Sequence, residues 1–154
     1  MKRYLLLLGA VAVAAFALPS VASAQSGHFV QTQTCTDIGT QVQCSGKVAG
    51  LGGTTFQIDV TAQGTASVQC RNPGGNVAPG QSFTFAAAGS SGPVPTPRNG
   101  QFRYTVTTTA PTAPAGSCPN PQWTAEVVDV SFTTATITLR EDGAISDQVT
   151  VPVS

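Results

Sequence analysis

Charge is scarce in this chain: seven Lys and Arg and seven Asp and Glu make up only 9% of its 154 residues. Binding a polyanion takes clustered bases, and the few here are scattered, which argues against nucleic acid and an anionic membrane surface as partners. Histidine is almost missing as well. His28 stands alone, so Ser-His-Asp and Cys-His arrangements have no base beside a nucleophile, and a copper brace has neither of its imidazoles in place. No Cys-x-x-Cys pair occurs, which removes the usual zinc spacing. No metal and no cofactor is expected.

Long apolar runs are lacking too. The longest, residues 5–18, falls short of the roughly 20 residues of a membrane-spanning helix. It follows Lys2-Arg3 and precedes Pro19 and Ala22-Ser23-Ala24, the order of a basic region, an apolar region and a small-x-small cleavage site. Residues 1–24 therefore read as a signal peptide and 25–154 as one secreted, extracellular domain. Beyond Ala24 remain Lys47, Arg71, Arg98, Arg103 and Arg140 against Asp37, Asp59, Glu126, Asp129, Glu141, Asp142 and Asp147.

What the chain does have is Thr, Gln, Ser, Gly, Val and Ala in alternating patterns, with no helical stripe. Val42, Cys44, Gly46 and Val48 would share one sheet face, as would Phe56, Ile58, Val60 and Ala62. Further runs are Ala66, Val68 and Cys70; Phe83, Phe85 and Ala87; Phe102, Tyr104, Val106 and Thr108; Val128, Val130 and Phe132; Ala135, Ile137 and Leu139; and Val149, Val151 and Val153. With an opening segment at 29–34, that makes about nine strands. Turns are expected at Gln63-Gly64, Asn99-Gly100 and Asp142-Gly143 among others, the last two as hairpins. The expected fold is an all-β, immunoglobulin-like sandwich, with a barrel as the alternative.

Four cysteines in an exported chain imply two disulfides. Three pairings exist on paper. Cys35 with Cys44 and Cys70 with Cys118 is favoured, because the first pair flanks the short turn Thr36-Asp37-Ile38-Gly39. The chain-entropy model assigns such loops about 3 and about 4 kcal/mol.

Acids offer little. In a strand Glu126 and Asp129, three apart, would lie on opposite faces and not converge, and Glu141-Asp142 sits in a hairpin turn, where it would be solvated. Calcium would want more oxygens than that turn begins to supply. The most unusual segments are Cys70-Arg71-Asn72-Pro73-Gly74-Gly75-Asn76 and Cys118-Pro119-Asn120-Pro121-Gln122-Trp123. If Cys70 and Cys118 pair, then Arg71, Asn72, Asn76, Asn120 and Trp123 come into one neighbourhood. A Trp packed on a disulfide is also a core device of sandwiches; a binding rim instead would expose Trp123, Tyr104 and the amides together. Residues 89–98, with Pro93, Pro95, Pro97 and Arg98, and residues 107–116, with Pro111 and Pro114, read as stiff extended loops. The first could enter a protease cleft.

The two Cys-Asn-Pro segments, with Val68-Gln69 and the turn Gly50-Leu51-Gly52 ahead of them, resemble small secreted proteins of unknown function from high-GC Gram-positive bacteria. The resemblance covers Cys70 and Cys118 better than Cys35 and Cys44, and it implies no activity. The expected function is a non-enzymatic binding or structural module for a protein or glycan. An extracellular protease inhibitor and a small hydrolase with unrecognised acids are the alternatives. N-terminal sequencing of the exported protein should begin at Gln25; an uncleaved chain would overturn the leader assignment.

Overall fold

The computed structural model describes residues 27–154, so the expected leader and its cleavage point lie outside the described residues. Nine strands and no helix occur among them: β1 (His28–Asp37), β2 (Val42–Ala49), β3 (Thr55–Arg71), β4 (Val77–Pro79), β5 (Phe83–Ser90), β6 (Val94–Pro95), β7 (Phe102–Thr107), β8 (Thr124–Glu141) and β9 (Ala144–Pro152). They form two sheets. The smaller has the order β1-β2-β7; the larger runs β4-β3-β8-β9, with β5 and β6 also on β3. No helix there is long and apolar enough to cross a membrane.

The larger sheet is organised by β3 and β8, each of which replaces two expected strands. Every second residue of β3 from Phe56 to Cys70 is buried, an alternation that runs through Gln63-Gly64 without a turn. Gly64 is a close approach. Its neighbours across the ladders are Phe85 on β5 and Phe132 on β8, whose rings meet edge to face with centroids 6.1 Å apart. A Cβ on Gly64 would lie 2.6 Å from Val130 Cγ1 and 2.8 Å from the Phe132 ring.

On the β8 side, residues 56–71 of β3 face residues 124–141, two more than they can match one to one. Two bulges absorb the excess, each setting two β8 residues against one of β3. Val128 and Asp129 oppose Ser67, and Thr133 and Thr134 oppose Gln63. Each bulge shifts the alternation by one place. Val127 and Val130 both face inward although three apart, as do Phe132 and Ala135. Val128, expected inside, is 49% exposed.

Asp142-Gly143 makes the expected two-residue hairpin between β8 and β9, with φ of 47° and 86°, the positive values such a turn needs. Asn99-Gly100 does not join a hairpin. Gly100 N donates to Pro97 O at 2.8 Å with φ 62°, closing a tight turn, but the chain then passes from β6 in one sheet to β7 in the other.

The sheets enclose one core. Val42, Cys44, Val48 and Val106 face Phe56, Ile58, Val60, Ile137 and Leu139. Backbone bonds link the layers at both margins: Asp37 N to Ser154 O (2.9 Å) and Ser154 N to Cys35 O (3.1 Å) on one side, Thr109 N to Ala88 O (2.9 Å) on the other. The sandwich is thus stitched at its edges without closing into a continuous barrel. Both expected disulfides form. Cys35 and Cys44 are direct partners across β1 and β2, buried in the core, and Cys70 joins Cys118 across 48 residues.

Tyr104 belongs to this core. It is 4% exposed, and its phenol donates to Gln33 Oε1 at 2.6 Å. Gln33 in turn donates to the carbonyls of Val30 and Gln31, where β1 bulges and Gln31 takes φ 65°. Burial raises the phenol pKa well above its usual range. Gly64→Ala should lower unfolding stability by about 1–3 kcal/mol, the cost of overpacking a filled site, read as a shift in denaturant midpoint at unchanged slope. An unshifted midpoint would show that the Phe85 and Phe132 rings do not need the bare backbone.

Candidate functional site

The two ends of the β3–β8 ladder carry the chain's less regular chemistry. At one end lies Glu141, paired with Phe56 and fully buried. Its Oε1 accepts from Gly52 N (2.7 Å) and Gly53 N (3.1 Å), and its Oε2 from Gly27 N (2.9 Å) and Ser146 Oγ (2.7 Å). Burial favours the neutral acid, but the donors from Ser146, Gly52, Gly53 and Gly27 outweigh it and hold the carboxyl below its ordinary 4.5. Asp142 beside it is exposed and accepts from the hydroxyl and N–H of Thr54 and the N–H of Thr55, bonds that bring it down to about 2. Glu141 was expected in a solvated turn. It is instead a structural anion with both oxygens occupied, which leaves it no lone pair free in the right place to begin a calcium site. The signal for this lay in the glycines: a Cβ on Gly27 would fall 2.7 Å from Glu141 Oε2, and one on Gly53 2.8 Å from Asp142 Oδ2.

Glu126 and Asp129 also differ from expectation. The Val128 bulge returns Asp129 to the outer face, opposite Ser67, while Glu126 lies opposite Gln69. Both acids are exposed on that face. His28, the lone imidazole, opens β1 and pairs with Ala49. No group of three or more His, Cys, Asp or Glu able to hold a metal occurs among the described residues.

At the other end of the ladder is the Cys70–Cys118 disulfide. Cys70 sits between Ala78 of β4 and Ala125 of β8, so the bond fastens the connection from β7 to β8 onto the rim of the large sheet. Ser117 braces it: its N–H and hydroxyl donate to Pro114 O at 3.2 and 2.8 Å, and its carbonyl accepts from Gln81 N at 2.8 Å. Next, Asn120 closes a turn, its Oδ1 accepting from Gln122 N (3.1 Å) and its carbonyl from Trp123 N (3.2 Å). These contacts hold open a groove of about 560 Å³ lined by Pro114, Pro119, Asn120, Pro121, Trp123 and Ala125 among others. No lining residue is ionisable. A smaller groove of about 270 Å³, with Pro79, Gly80 and Gln81, lies across the ridge made by residues 117–119.

Of the five residues proposed as a rim, Asn120 and Trp123 line the larger groove. Arg71 is one rung away, paired with Thr124 and exposed on the outer face beside Val77. Asn72 and Asn76 build the β3–β4 turn instead: Asn72 Oδ1 accepts from Asn76 N at 2.8 Å, Asn72 N donates to Asn76 O, and Gly75 N donates to Asn72 O. Tyr104, in the core, is not part of any such rim. Comparison with protein-family models, curated proteins and solved structures gives no match, so function is read from this geometry alone.

Acid should weaken the Glu141 end. A carboxyl whose folded pKa lies below its unfolded value contributes fully above the unfolded value, and the contribution drains away as pH falls through the folded one. Stability should therefore drop from about pH 4.5 toward 2, with Glu141 and Asp142 protonating. Glu141→Gln, which turns an amide toward backbone donors, should cost at least about 2 kcal/mol at pH 7. In denaturant titrations the gap to wild type should narrow at pH 3; a constant gap would show that the carboxylate charge is not what matters.

Proposed function

We propose that this chain is a non-enzymatic, exported binding module, of immunoglobulin-like build, whose ligand seats in the Trp123 groove. One observation carries the reading: the only Trp of the chain, half-buried, lines a concave surface of drug-sized volume that has no ionisable side chain. Neither the Trp123 indole N–H nor the Asn120 amide nitrogen is used in any hydrogen bond of the described residues. An aromatic face with two available donors suits an uncharged glycan or peptide segment that presents apolar C–H surface and oxygen acceptors. The prolines around it keep the walls stiff, which lowers the ordering cost of binding. Two disulfides are compatible with work outside the cell.

The other readings have less to support them. The segment with Pro93, Pro95 and Pro97 is tied to the large sheet: β6 pairs with Thr55 and Phe56, and Thr96 N donates to Thr54 O at 3.0 Å, which leaves less free loop for a protease to meet. For hydrolysis, Glu141 is fully engaged, and Glu126 and Asp129 stand on the outer face of a sheet.

Capture from the host's cell wall and culture proteins, repeated with Trp123→Ala, tests the module. The variant should keep its melting temperature and lose at least about 30-fold in affinity, as for a buried aromatic hot spot. Loss of folding would make Trp123 a packing residue, and undiminished capture would place the site elsewhere.

A further inference from the structure

The connection that walls the groove has a second property. It is pinned at Thr108, whose N–H donates to Val42 O and whose hydroxyl accepts from Val42 N, both at 2.9 Å, and again at Ser117. Thr109 is held as well, donating to Ala88 O through its N–H and its hydroxyl. Between these anchors Ala110, Pro111, Thr112 and Ala113 take part in no hydrogen bond of the described residues and belong to no strand. Thr112 is exposed, lies between Pro111 and Pro114, and has only alanine and proline within two residues on either side. Proline supplies no N–H and restricts φ, so the segment is kept extended and cannot enter a ladder. A modifying enzyme needs a backbone it can lay out in its own cleft and a hydroxyl that costs no existing bond to engage. Thr112 meets both conditions, whereas the hydroxyls of Thr54, Thr108, Thr109, Ser91 and Ser117 are already bonded within the fold.

We propose that Thr112 is a site of O-glycosylation, the modification that exposed Thr/Pro runs of exported chains invite. The donor class is a hexose carried on a lipid phosphate, the sugar source of a transferase acting outside the cytoplasm. Thr112 Oγ1 attacks the anomeric carbon. The Oγ1–C1 bond forms, the bond from C1 to the phosphate oxygen breaks with its electron pair, and the hydroxyl proton ends on the released phosphate. The sugar would stand beside Ala113 and Pro114, which line the groove, and so at the mouth of the site proposed above. The proposal depends on export and not on what the groove binds.

The test is the intact mass of the protein taken from its host's culture medium, with disulfides reduced, followed by fragmentation that preserves side-chain glycans. The expected mass exceeds that of the chain beginning at Gln25 by a whole number of hexoses, located at Thr112. Thr112→Ala should abolish the increment and Thr112→Ser keep it. A chain cleaved at Gln25 but of unmodified mass overturns the proposal while leaving export and the groove untouched. So does an increment of a phosphate, or a hexose that persists in Thr112→Ala.

Discussion

A ladder in which sixteen residues of β3 lie along eighteen of β8, fifteen of them directly paired, is the constraint on which the other strands depend. The far edge of β3 is divided among β6, β5 and β4 in turn, and the far edge of β8 carries β9, so no element of the large sheet forms without one of these two. Two residues too many would shear the ladder out of register if they were not absorbed locally. A one-residue slip in a strand turns every later side chain to the opposite face. The bulges at Val128-Asp129 and Thr133-Thr134 are therefore what allow Val127, Val130, Phe132 and Ala135 all to reach the core from one strand.

A ladder this long needs fastening at its ends, and the two ends use opposite chemistry. At Glu141 the fastening is electrostatic: a buried anion receives donors from residue 27, from the 52–53 turn and from β9, drawing two distant segments and the adjoining strand onto the end of β8. An unpaired buried carboxylate would cost several kcal/mol, so each of those donors is as much a requirement of the anion as a benefit from it. Glycine supplies three of the four, and at Gly27 the absence of a Cβ is required, since one there would fall 2.7 Å from Glu141 Oε2. At Cys70 the fastening is covalent, worth about 4 kcal/mol by loop closure, and it asks nothing of the surrounding hydrogen bonds.

That difference explains which features could be read before the fold was known. Alternation in β2, β5 and β7, the Asp142-Gly143 hairpin and both cysteine pairs depend on neighbours close in sequence or on period two, and they were legible. Gln63-Gly64 was not: its composition is that of a turn, and only Phe85 and Phe132, respectively 21 and 68 residues onward, reveal that the glycine makes room for rings. Val128 looked like a core residue because a bulge leaves no mark in local hydrophobicity. Glu141 looked solvated because its four donors lie up to 114 residues away. In the lining of the groove, Asn120 and Trp123 were foreseeable because they follow Cys118 closely, while Asn72 and Asn76 satisfy each other within their own turn and are not part of that lining.

The same division of chemistry accounts for the position of the groove. A connection of few hydrogen bonds, such as residues 109–123, is held in one shape only where something other than a ladder restrains it, and the disulfide with its prolines does that at the Cys70 end alone. The Glu141 end offers no comparable freedom, since loosening any of its segments strands a buried charge. Its carboxyls are also held below their ordinary range, whereas the groove lining contains no ionisable group. Sixteen residues of strand, at about 3.3 Å each, put roughly 50 Å between the two. Protonation at Glu141 therefore acts on the scaffold's far end, and the groove's shape is left to bonds that pH does not touch.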